Sequence, residues 1–229
     1  KNGKEQLAEK AKLTVWRAAT DNDRKVKSEW GLVNNDNLAG ENMNRLFSKV
    51  YSCELNGNKI TVTGSLAGVA RLPFFRYTAE YEFFESGEVK ISLNGKMREN
   101  LNTFLPRLGF EFKISSQNKE FAYYGMGKEE NYCDMNRHAM VGLYHSSAEN
   151  EYVNYIVPQE HGNHTKTKFL EIDDSLKFFT NEEFEFNVSQ YSAEALTDAM
   201  HTDELTKNGY TNIRIDYKVS GIGSNSCGP

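Results

Sequence analysis

Apolar and charged residues alternate with a period of two along much of the chain. Such alternation predicts β-strands, because successive side chains of a strand point to opposite faces of the sheet. In each alternating segment one face is apolar and the other charged, which is typical of an antiparallel sheet with one packed and one solvated face. The segments span residues 54–63, 77–84, 88–93, 109–114, 166–172, 183–188 and 212–219. The pattern therefore predicts a mainly antiparallel β protein.

Local signals place two hairpins and one helix. Asn56-Gly57 is a strong hairpin signal, and Glu85-Ser86-Gly87 separates the next two alternating segments. A helix is predicted after Ser192, whose hydroxyl can cap it, and Glu194 favours its positive end. Its apolar stripe consists of Ala195, Leu196 and Met200.

These elements predict two packed antiparallel β-sheets with one small helix. The chain has 229 residues, a length compatible with one large all-β domain or two small domains. Because no linker rich in proline and glycine divides it, we predict a single domain over residues 1–229.

Composition excludes several classes of function. The net charge of −5 argues against binding to nucleic acid, and no apolar stretch approaches the ~20 residues that a membrane span needs. The three cysteines, Cys53, Cys133 and Cys227, match neither a disulfide framework nor a zinc site, so we expect reduced structural thiols and a cytoplasmic protein. The chain begins at Lys1 and shows no signal peptide, and we expect it to be a piece of a longer protein.

The densest group of candidate functional residues lies at residues 151–162, which read Glu-Tyr-Val-Asn-Tyr-Ile-Val-Pro-Gln-Glu-His-Gly. Pro158 and Gly162 predict a turn between the end of one strand and the start of the next. Gln159, Glu160 and His161 are displayed at this corner. Turn formation alone does not require so many polar side chains.

A second candidate is the loop that follows Trp16, where residues 20–23 read Thr-Asp-Asn-Asp. Aspartate and asparagine commonly hydrogen-bond to their own backbone in such turns, which is one interpretation of this loop. The other is that Asp21, Asn22 and Asp23 face sugar hydroxyls or support a neighbouring domain.

The third candidate, residues 124–134, reads Tyr-Gly-Met-Gly-Lys-Glu-Glu-Asn-Tyr-Cys-Asp. Its two glycines lack the third glycine and the following helix of a dinucleotide site. Glu130, Asn131, Tyr132 and Asp134 either hydrogen-bond to one another in an ordered turn or bind a sugar, with Tyr132 as an aromatic platform.

The histidines near this corner suggest two further hypotheses about its function. Glu160, His161 and His164 have the residue types of a zinc site, but their spacing does not match one. Glu160, with His138 and His161, also has the residue types of a general base and general acids. We regard both readings as minor.

Together these segments resemble the C-terminal domain of glycoside hydrolase family 2 β-galactosidases, also called the small-chain domain or domain 5. The corner resembles the family pattern Y-x-x-P-x-E-x-G, and residues 16–23 resemble W-R-A-P-T-D-N-D with Ala19 in place of proline. Residues 124–134 are similar to G-x-G-P-x-E-N-Y-x-D, and residues 186–192 to F-N-[IV]-S-x-Y-S. Residues 221–229 resemble a terminal loop in which some relatives have a pocket tryptophan where this chain has Cys227.

The resemblance implies a large antiparallel β-supersandwich of the galactose-mutarotase-like superfamily. The parent enzyme would be a retaining glycosidase whose two catalytic glutamates lie in an α/β barrel, so no catalytic residue is expected in this chain. It implies no cofactor here, with Mg and Na held by other domains of the parent. Expected partners are a β-galactoside and those other domains, and the parent is expected to be a homo-oligomer. The residues expected at the rim of the substrate pocket are Asp21, Asn22, Asp23, Glu130, Glu160, His161, Ser226 and Cys227.

The sequence leaves two alternatives open, an autonomous carbohydrate-binding module and an aldose 1-epimerase (mutarotase). Binding modules usually expose a planar row of aromatic rings, whereas Trp16 ends a strand and Trp30 lies in a polar stretch. No aromatic row is therefore apparent from the tryptophans.

Two further expectations concern packing. Residues 24–40 lack alternation and hold few apolar side chains, so we expect a mobile loop, unless Trp30 inserts into the sandwich. We also expect one face of the domain to be an interface for the rest of the parent enzyme.

Overall fold

The computed structural model describes residues 3, 5–25, 30, 40–101, 103–115, 119–173 and 176–223. The chain divides into two compact units. The first unit comprises residues 1–25 and 105–229, and the second comprises residues 26–104. The single domain expected over residues 1–229 stays a prediction.

Strands dominate both units. Along the chain they are β1 (Lys12–Thr14), β2 (Leu46–Asn56), β3 (Lys59–Gly68), β4 (Phe75–Phe83), β5 (Val89–Met97), β6 (Arg107–Ile114), β7 (Glu120–Gly127), β8 (Met140–Ser147), β9 (Asn163–Ile172), β10 (Lys177–Ser189) and β11 (Thr211–Val219). Their pairings are antiparallel. Within the described residues they are accompanied by a short α-helix, α1 (Ala193–Asp198), and short 3-10 turns. The predicted all-β antiparallel class with one short helix is confirmed.

The first unit contains a seven-stranded sheet in the order β1-β6-β11-β10-β9-β7-β8. One of its faces carries the main apolar core. Its fully buried members include residues from four different strands, Phe121, Leu170, Phe186, Val188 and Ile213. Each such side chain contributes roughly 1.5–3 kcal/mol when it leaves water, so this core is the main stabilising element of the unit.

The opposite face of β6, β10 and β11 is also buried, which corrects the prediction of a solvated charged face. Glu111, Glu185, Arg214 and Asp216 lie in the interior although they alternate with apolar residues. Loops and the helix region cover them, and Arg214 donates to the Tyr191 carbonyl at 3.2 Å. Alternation predicted these strands correctly, but it could not show that both faces would be covered.

The second unit is a four-stranded antiparallel meander in the order β2-β3-β4-β5. Asn56 pairs with Lys59, so the turn consists of Gly57 and Asn58, one residue later than the sequence signal indicated. Gly57 has φ of 60°, which explains the preference for glycine there. The β4–β5 hairpin closes at the predicted position, with Phe83 paired to Val89.

The helix begins where it was predicted and ends early. The Ser192 hydroxyl accepts a hydrogen bond from the Ala195 N–H at 3.1 Å, and Leu196 is buried. Met200 lies beyond the last helical residue, Asp198, and is 61% exposed, so its assignment to the apolar stripe was wrong.

Trp30 is buried, and its ring meets Phe104 edge-on at a centroid distance of 5.3 Å. Residues 26–29 and 31–39 lie outside the described residues, and with them the expectation of a mobile loop over residues 24–40. In the described part of the chain, no helix is long and apolar enough to cross a membrane.

Candidate functional site

The candidate site is built where four loops of the first unit meet the ends of β6 and β11. The loops are residues 15–23, 128–139, 148–162 and 220–223. β6 begins at Arg107, which pairs in register with Val219 at the end of β11. The three sequence segments that carry candidate residues are therefore brought to one place by strands far apart in sequence.

Arg107 is fully buried and binds two carboxylates. Its Nε and Nη2 donate to the two oxygens of Asp216 at 3.1 and 2.8 Å, and Nη2 also lies 3.4 Å from Glu160 Oε1. Gly109 makes room for this arrangement, since a Cβ there would lie 2.2 Å from Asp216 Oδ1. The corner residue Glu160 is thus tied into the interior of the sheet.

Burial and pairing act against each other in this cluster. Burial alone would lower the pKa of Arg107, but the charges of Asp216 and Glu160 raise it above its ordinary value. Burial raises the pKa of Asp216 to about 6, although Arg107 opposes the shift. The raised pKa of Arg107 indicates that the ion pair is favourable, whereas the raised pKa of Asp216 indicates that burying its charge is costly. Because Arg107 donates to both oxygens of Asp216, we take the pair to be ionised at pH 7.

The loop at residues 20–23 is held by a second buried ion pair. Arg17 donates to Asp23 Oδ2 and Oδ1 at 2.9 and 3.2 Å. The same carboxylate accepts hydrogen bonds from the Thr20 N–H and hydroxyl at 2.7 and 3.0 Å. Asp23 therefore orders the loop from within, as the turn interpretation of this segment proposed.

The neighbouring residues of this loop lie nearer the surface. The Asp21 side chain is exposed, while its N–H donates to Gln159 Oε1 at 3.1 Å. Asn22 is half-buried, and its side-chain amide donates to the Ile222 carbonyl at 2.8 Å. The loop thus connects the corner to the segment that follows β11.

Residues 148–162 form a loop between β8 and β9, so the strand expected before Pro158 is absent from this described segment. Gly162 does turn as predicted, with φ of 72°. The Glu160 N–H donates to the Ala18 carbonyl at 3.2 Å. His161 is buried, and its Nδ1 lies 2.8 Å from the Gln159 carbonyl, to which it donates.

Glu130 connects this corner to residues 128–139. Its two oxygens accept hydrogen bonds from the Tyr155 hydroxyl and from the Gly162 N–H, the latter at 2.7 Å. Burial, together with Glu130, raises the pKa of Tyr155 well above its ordinary value, so the tyrosine remains a donor. The Glu130 side chain is half-buried.

Asn131 and Asp134 have structural partners. Asn131 Oδ1 accepts from the Thr165 N–H at 2.9 Å and from the Thr165 hydroxyl at 2.7 Å. Asp134 accepts from the Ile222 and Gly223 N–H groups at 3.1 and 2.8 Å. Tyr132, expected as a platform, is instead buried against Val219 and Ile222.

The structure therefore gathers the described candidates but gives them different environments. Asp23, Glu160 and His161 are buried, Asn22 and Glu130 are half-buried, and Asp21 is exposed. Ser226 and Cys227 lie outside the described residues. For all eight candidate residues, a position at the rim of a substrate pocket stays a prediction.

The sequence reading missed the residues that organise the site. Arg17, Arg107, Asp216 and Ser220 were not singled out, and all but the half-buried Ser220 are buried. The Ser220 hydroxyl accepts a hydrogen bond from Arg17 Nη2 at 3.1 Å. The sequence did contain a signal for these residues, because charged residues of opposite sign recur at alternate positions of β6 and β11. Arg214 Nε, for example, lies 3.2 Å from Glu111 Oε2. Such charges indicate cross-strand pairing only when the strands are known to be neighbours.

The structure also shows the surroundings of the histidines that were considered for a zinc site or for acid–base chemistry. His164 is buried between Glu151, 2.7 Å from its Nε2, and the Tyr123 hydroxyl, 3.1 Å from its Nδ1. His138 is exposed and donates to the Glu130 carbonyl at 2.9 Å. In the part of the chain that the structure describes, no group of three or more His, Cys, Asp or Glu side chains is arranged to hold a metal ion.

Comparison with known proteins gives a consistent result over the whole chain. A family model described as beta galactosidase small chain matches residues 1–229. The chain is 30% identical over 233 residues to a β-galactosidase of Actinobacillus pleuropneumoniae, covering 100% of this chain and 22% of that protein. It is 32% identical to a Kluyveromyces lactis β-galactosidase and 31% identical to one from Streptococcus thermophilus, covering 96% and 97% of this chain and 22% of each relative. The chain thus spans about a fifth of the length of these relatives.

Proposed function

The chain belongs to the β-galactosidase small-chain family, and from that premise we propose that it is the C-terminal, non-catalytic part of an enzyme that hydrolyses terminal β-D-galactosides. In this role the chain forms one wall of the carbohydrate site and packs on the catalytic barrel. The observation that carries the proposal is the match over residues 1–229 to about a fifth of each relative.

The sugar-facing wall is assigned to the exposed side of the four loops. Asp21 is nearest the sugar in this proposal, with Asn22 beside it and the Ser226–Cys227 segment following. Glu130 and Glu160 support the wall through Tyr155 and Arg107. This assignment is supported by the exposure of the Asp21 side chain above a loop that the Arg17 ion pair orders.

A non-catalytic role is consistent with the ion pairs that the buried carboxylates form with arginines. A retaining glycosidase needs two carboxylates about 5–5.5 Å apart that act on the sugar. Asp23 forms a salt bridge with Arg17, and Glu160 and Asp216 both form salt bridges with Arg107. The acid/base and the nucleophile are therefore assigned to another part of the parent.

The remaining features of the parent are also proposals. We assign Mg and Na to its other domains and none to this chain. Its partners are a β-galactoside, those domains and further copies of the parent, without nucleic acid or membrane. The cytoplasm is its proposed location.

The test of the wall is Asp21→Ala in the full-length protein that contains this chain. KM for a chromogenic β-galactoside is expected to rise about tenfold with kcat within about threefold, since a hydrogen bond to a charged group contributes about 1.5–3 kcal/mol. Asp203→Ala, at another exposed aspartate, is the control and should leave both constants unchanged. Absence of β-galactoside hydrolysis by the unmodified protein would reject the parent activity, and unchanged KM in Asp21→Ala would reject the wall.

One observation favours a second candidate function, carbohydrate binding by the sheet itself. Tyr124 pairs in register with Leu143 on β8 and with Phe169 on β9, which pairs in turn with Phe179 on β10. Tyr124, Leu143 and Phe179 are exposed and Phe169 is half-buried, so the sheet presents an aromatic row that the tryptophans did not indicate. Such rows can stack on sugar rings.

Calorimetric titration of the protein with galacto-oligosaccharide decides whether this row binds sugar. Binding that is lost in Phe179→Ala and kept in Leu72→Ala, at an exposed apolar residue outside the four loops, would support the second candidate. No binding, or equal binding by both variants, would reject it. The epimerase alternative gains no support, because Glu160 is paired with Arg107 in the interior.

A further inference from the structure

The backbone that follows β11 is held from two sides by side chains of other loops. On one side, the Asp134 carboxylate accepts hydrogen bonds from the consecutive N–H groups of Ile222 and Gly223 at 3.1 and 2.8 Å. On the other side, Asn22 donates to the Ile222 carbonyl at 2.8 Å, and Arg17 donates to the Gly221 carbonyl at 3.1 Å. Side chains of other loops therefore bind two N–H groups and two carbonyls of this short segment.

Asp134 is exposed, and the backbone around it forms a hydrogen-bonded turn. Tyr132 and Met135 exchange two backbone hydrogen bonds, at 2.9 and 3.0 Å, and so close a tight turn around Asp134. The Asn136 side-chain amide donates to the Tyr132 and Cys133 carbonyls at 3.1 and 3.0 Å. The Tyr132 ring is buried against Val219 and Ile222, so the turn also packs on the segment that its carboxylate binds.

A side chain at position 221 would displace the Asp134 carboxylate. A Cβ at Gly221 would lie 2.4 Å from Asp134 Oδ2, closer than real Cβ contacts occur. The close approach of backbone to carboxylate explains Gly221 without any positive φ.

We propose that Asp134 is a positioning residue for the carbohydrate site, where it fixes residues 220–223 against the loop that carries Asp21 and Asn22. This inference rests on the proposed function, because the loops that it joins are those assigned to the wall. Asp134 does not touch the sugar in this proposal. It sets the distance between residues 220–223 and Asn22.

A carboxylate is suited to this task because it only accepts hydrogen bonds and two N–H groups point at it. An asparagine in its place would accept from one N–H and present its own N–H₂ to the other. Asp134→Asn should therefore disturb the contact while changing side-chain volume very little, and Asp134→Ala should abolish it.

The experiment uses the full-length protein that contains this chain. KM for a chromogenic β-galactoside is expected to rise about tenfold in Asp134→Ala and less in Asp134→Asn, with kcat within about threefold of the unmodified enzyme. Asp203→Asn, at an exposed aspartate outside these loops, is the matched control and should leave KM unchanged. Melting temperatures show which variants are folded; if Asp134→Ala is not, the folded Asp134→Asn decides.

Hydrogen exchange separates failure of the positioning role from failure of the proposed function. The Ile222 and Gly223 amides should exchange at least about tenfold faster in Asp134→Ala than in the unmodified protein, whatever its activity. Faster exchange with raised KM is the expected result. Faster exchange with unchanged KM would overturn the positioning role, and unchanged exchange would overturn the contact itself. An unmodified protein without β-galactosidase activity would overturn the proposed function, and the positioning role with it, while exchange would still report on the contact.

Discussion

At the scale of single residues, buried charge on one face of β6, β10 and β11 distinguishes this chain from an ordinary half-solvated sheet. Arg107 with Asp216 and Arg214 with Glu111 pair across strands, in the interior. Removing one partner of a buried pair typically costs about 3–5 kcal/mol, because the other charge is left without compensation. These pairs therefore fix which strands are neighbours as well as where the loops of the site begin.

Asp216→Asn tests the balance between burial and pairing through the pH dependence of stability. Burial raises the folded-state pKa of Asp216 from 3.8 to about 6, so between these values the folded state keeps a proton that the unfolded state has released. The contribution of this group to stability is thus present below about pH 4 and lost as pH rises through about 6, a change of about 3 kcal/mol. Chemical denaturation at a series of pH values should show a steeper fall of stability from pH 4 to pH 7 in the unmodified chain than in Asp216→Asn.

Asp203→Asn is the control for this series and should follow the unmodified chain, because Asp203 is exposed. Parallel curves for the unmodified chain and Asp216→Asn would contradict the raised pKa. A rise of stability with pH in this window that Asp216→Asn removes would mean that pairing with Arg107 outweighs burial.

At the scale of elements, the corner at residues 159–162 joins a loop to β9 and depends on its last residue. Gly162 has φ of 72°, and its N–H is bound by Glu130. The Asn187 side-chain amide donates to the His161 carbonyl, which ties the corner to β10. The conformation of one glycine thus sets the direction in which Gln159, Glu160 and His161 leave the sheet.

Gly162→Ala is expected to lower the free energy of unfolding by more than the usual cost of a left-handed alanine. That cost is about 1 kcal/mol. Its Cβ would also lie 3.0 Å from the Glu151 carbonyl oxygen and 3.3 Å from Asn187 Nδ2. Denaturant titration of the two variants Gly162→Ala and Gly209→Ala measures the difference.

Gly209 is the matched control because its φ is 80° and a Cβ there meets nothing within 4 Å. It isolates the backbone cost from the crowding at the corner. Equal destabilisation by the two substitutions would show that the corner relaxes around the added methyl group.

At the scale of the whole molecule, the four-stranded sheet presents an apolar face that its own unit does not cover fully. Leu55, Ile60, Tyr81 and Ile91 form one cross-strand row in register. Leu55 is 74% exposed, and Phe83, Val89 and Ile91 are also exposed. Large exposed apolar patches mark interaction sites, and we propose the remainder of the parent enzyme as the occupant, since this chain spans about a fifth of its relatives.

Leu55→Asp in the full-length protein tests this surface. If the row is covered by other domains, the buried aspartate should lower the melting temperature by several degrees. Each loss of about 1 kcal/mol in stability lowers the melting temperature by roughly 2–4 °C, and burying an unpaired charge costs more than that. Leu72→Asp, at an equally exposed leucine in the β3–β4 connection, should have little effect. Similar melting temperatures for the two variants would count against the interface.

The 229-residue chain produced by itself is expected not to hydrolyse a chromogenic β-galactoside. The reason is that the proposed acid/base and nucleophile belong to another part of the parent. Turnover that survives extensive purification and disappears when a carboxylate of this chain is substituted would refute the assignment. Full-length protein assayed in parallel is the positive control.

The sequence by itself indicated β3 to β6, β9 to β11 and the start of the helix, because these depend on neighbours a few residues away. It did not indicate β1, β7 or β8. The resemblance carried by residues 16–23, 124–134 and 151–162 also identified the family before any geometry was available. The hairpin of β4 and β5 falls where Glu85-Ser86-Gly87 indicates, because a turn is a local structure.

Only the tertiary structure decided which polar residues are inside. Alternation gives Asp216 and Glu82 the same pattern, yet Asp216 is buried against Arg107 while Glu82 is partly exposed on the second sheet. The contact between Asp134 and residues 222–223 joins positions 88 or more residues apart, and no local pattern encodes that distance. Burial and pairing depend on which strands become neighbours, and this is a property of the whole fold, which a pattern with a period of two cannot contain.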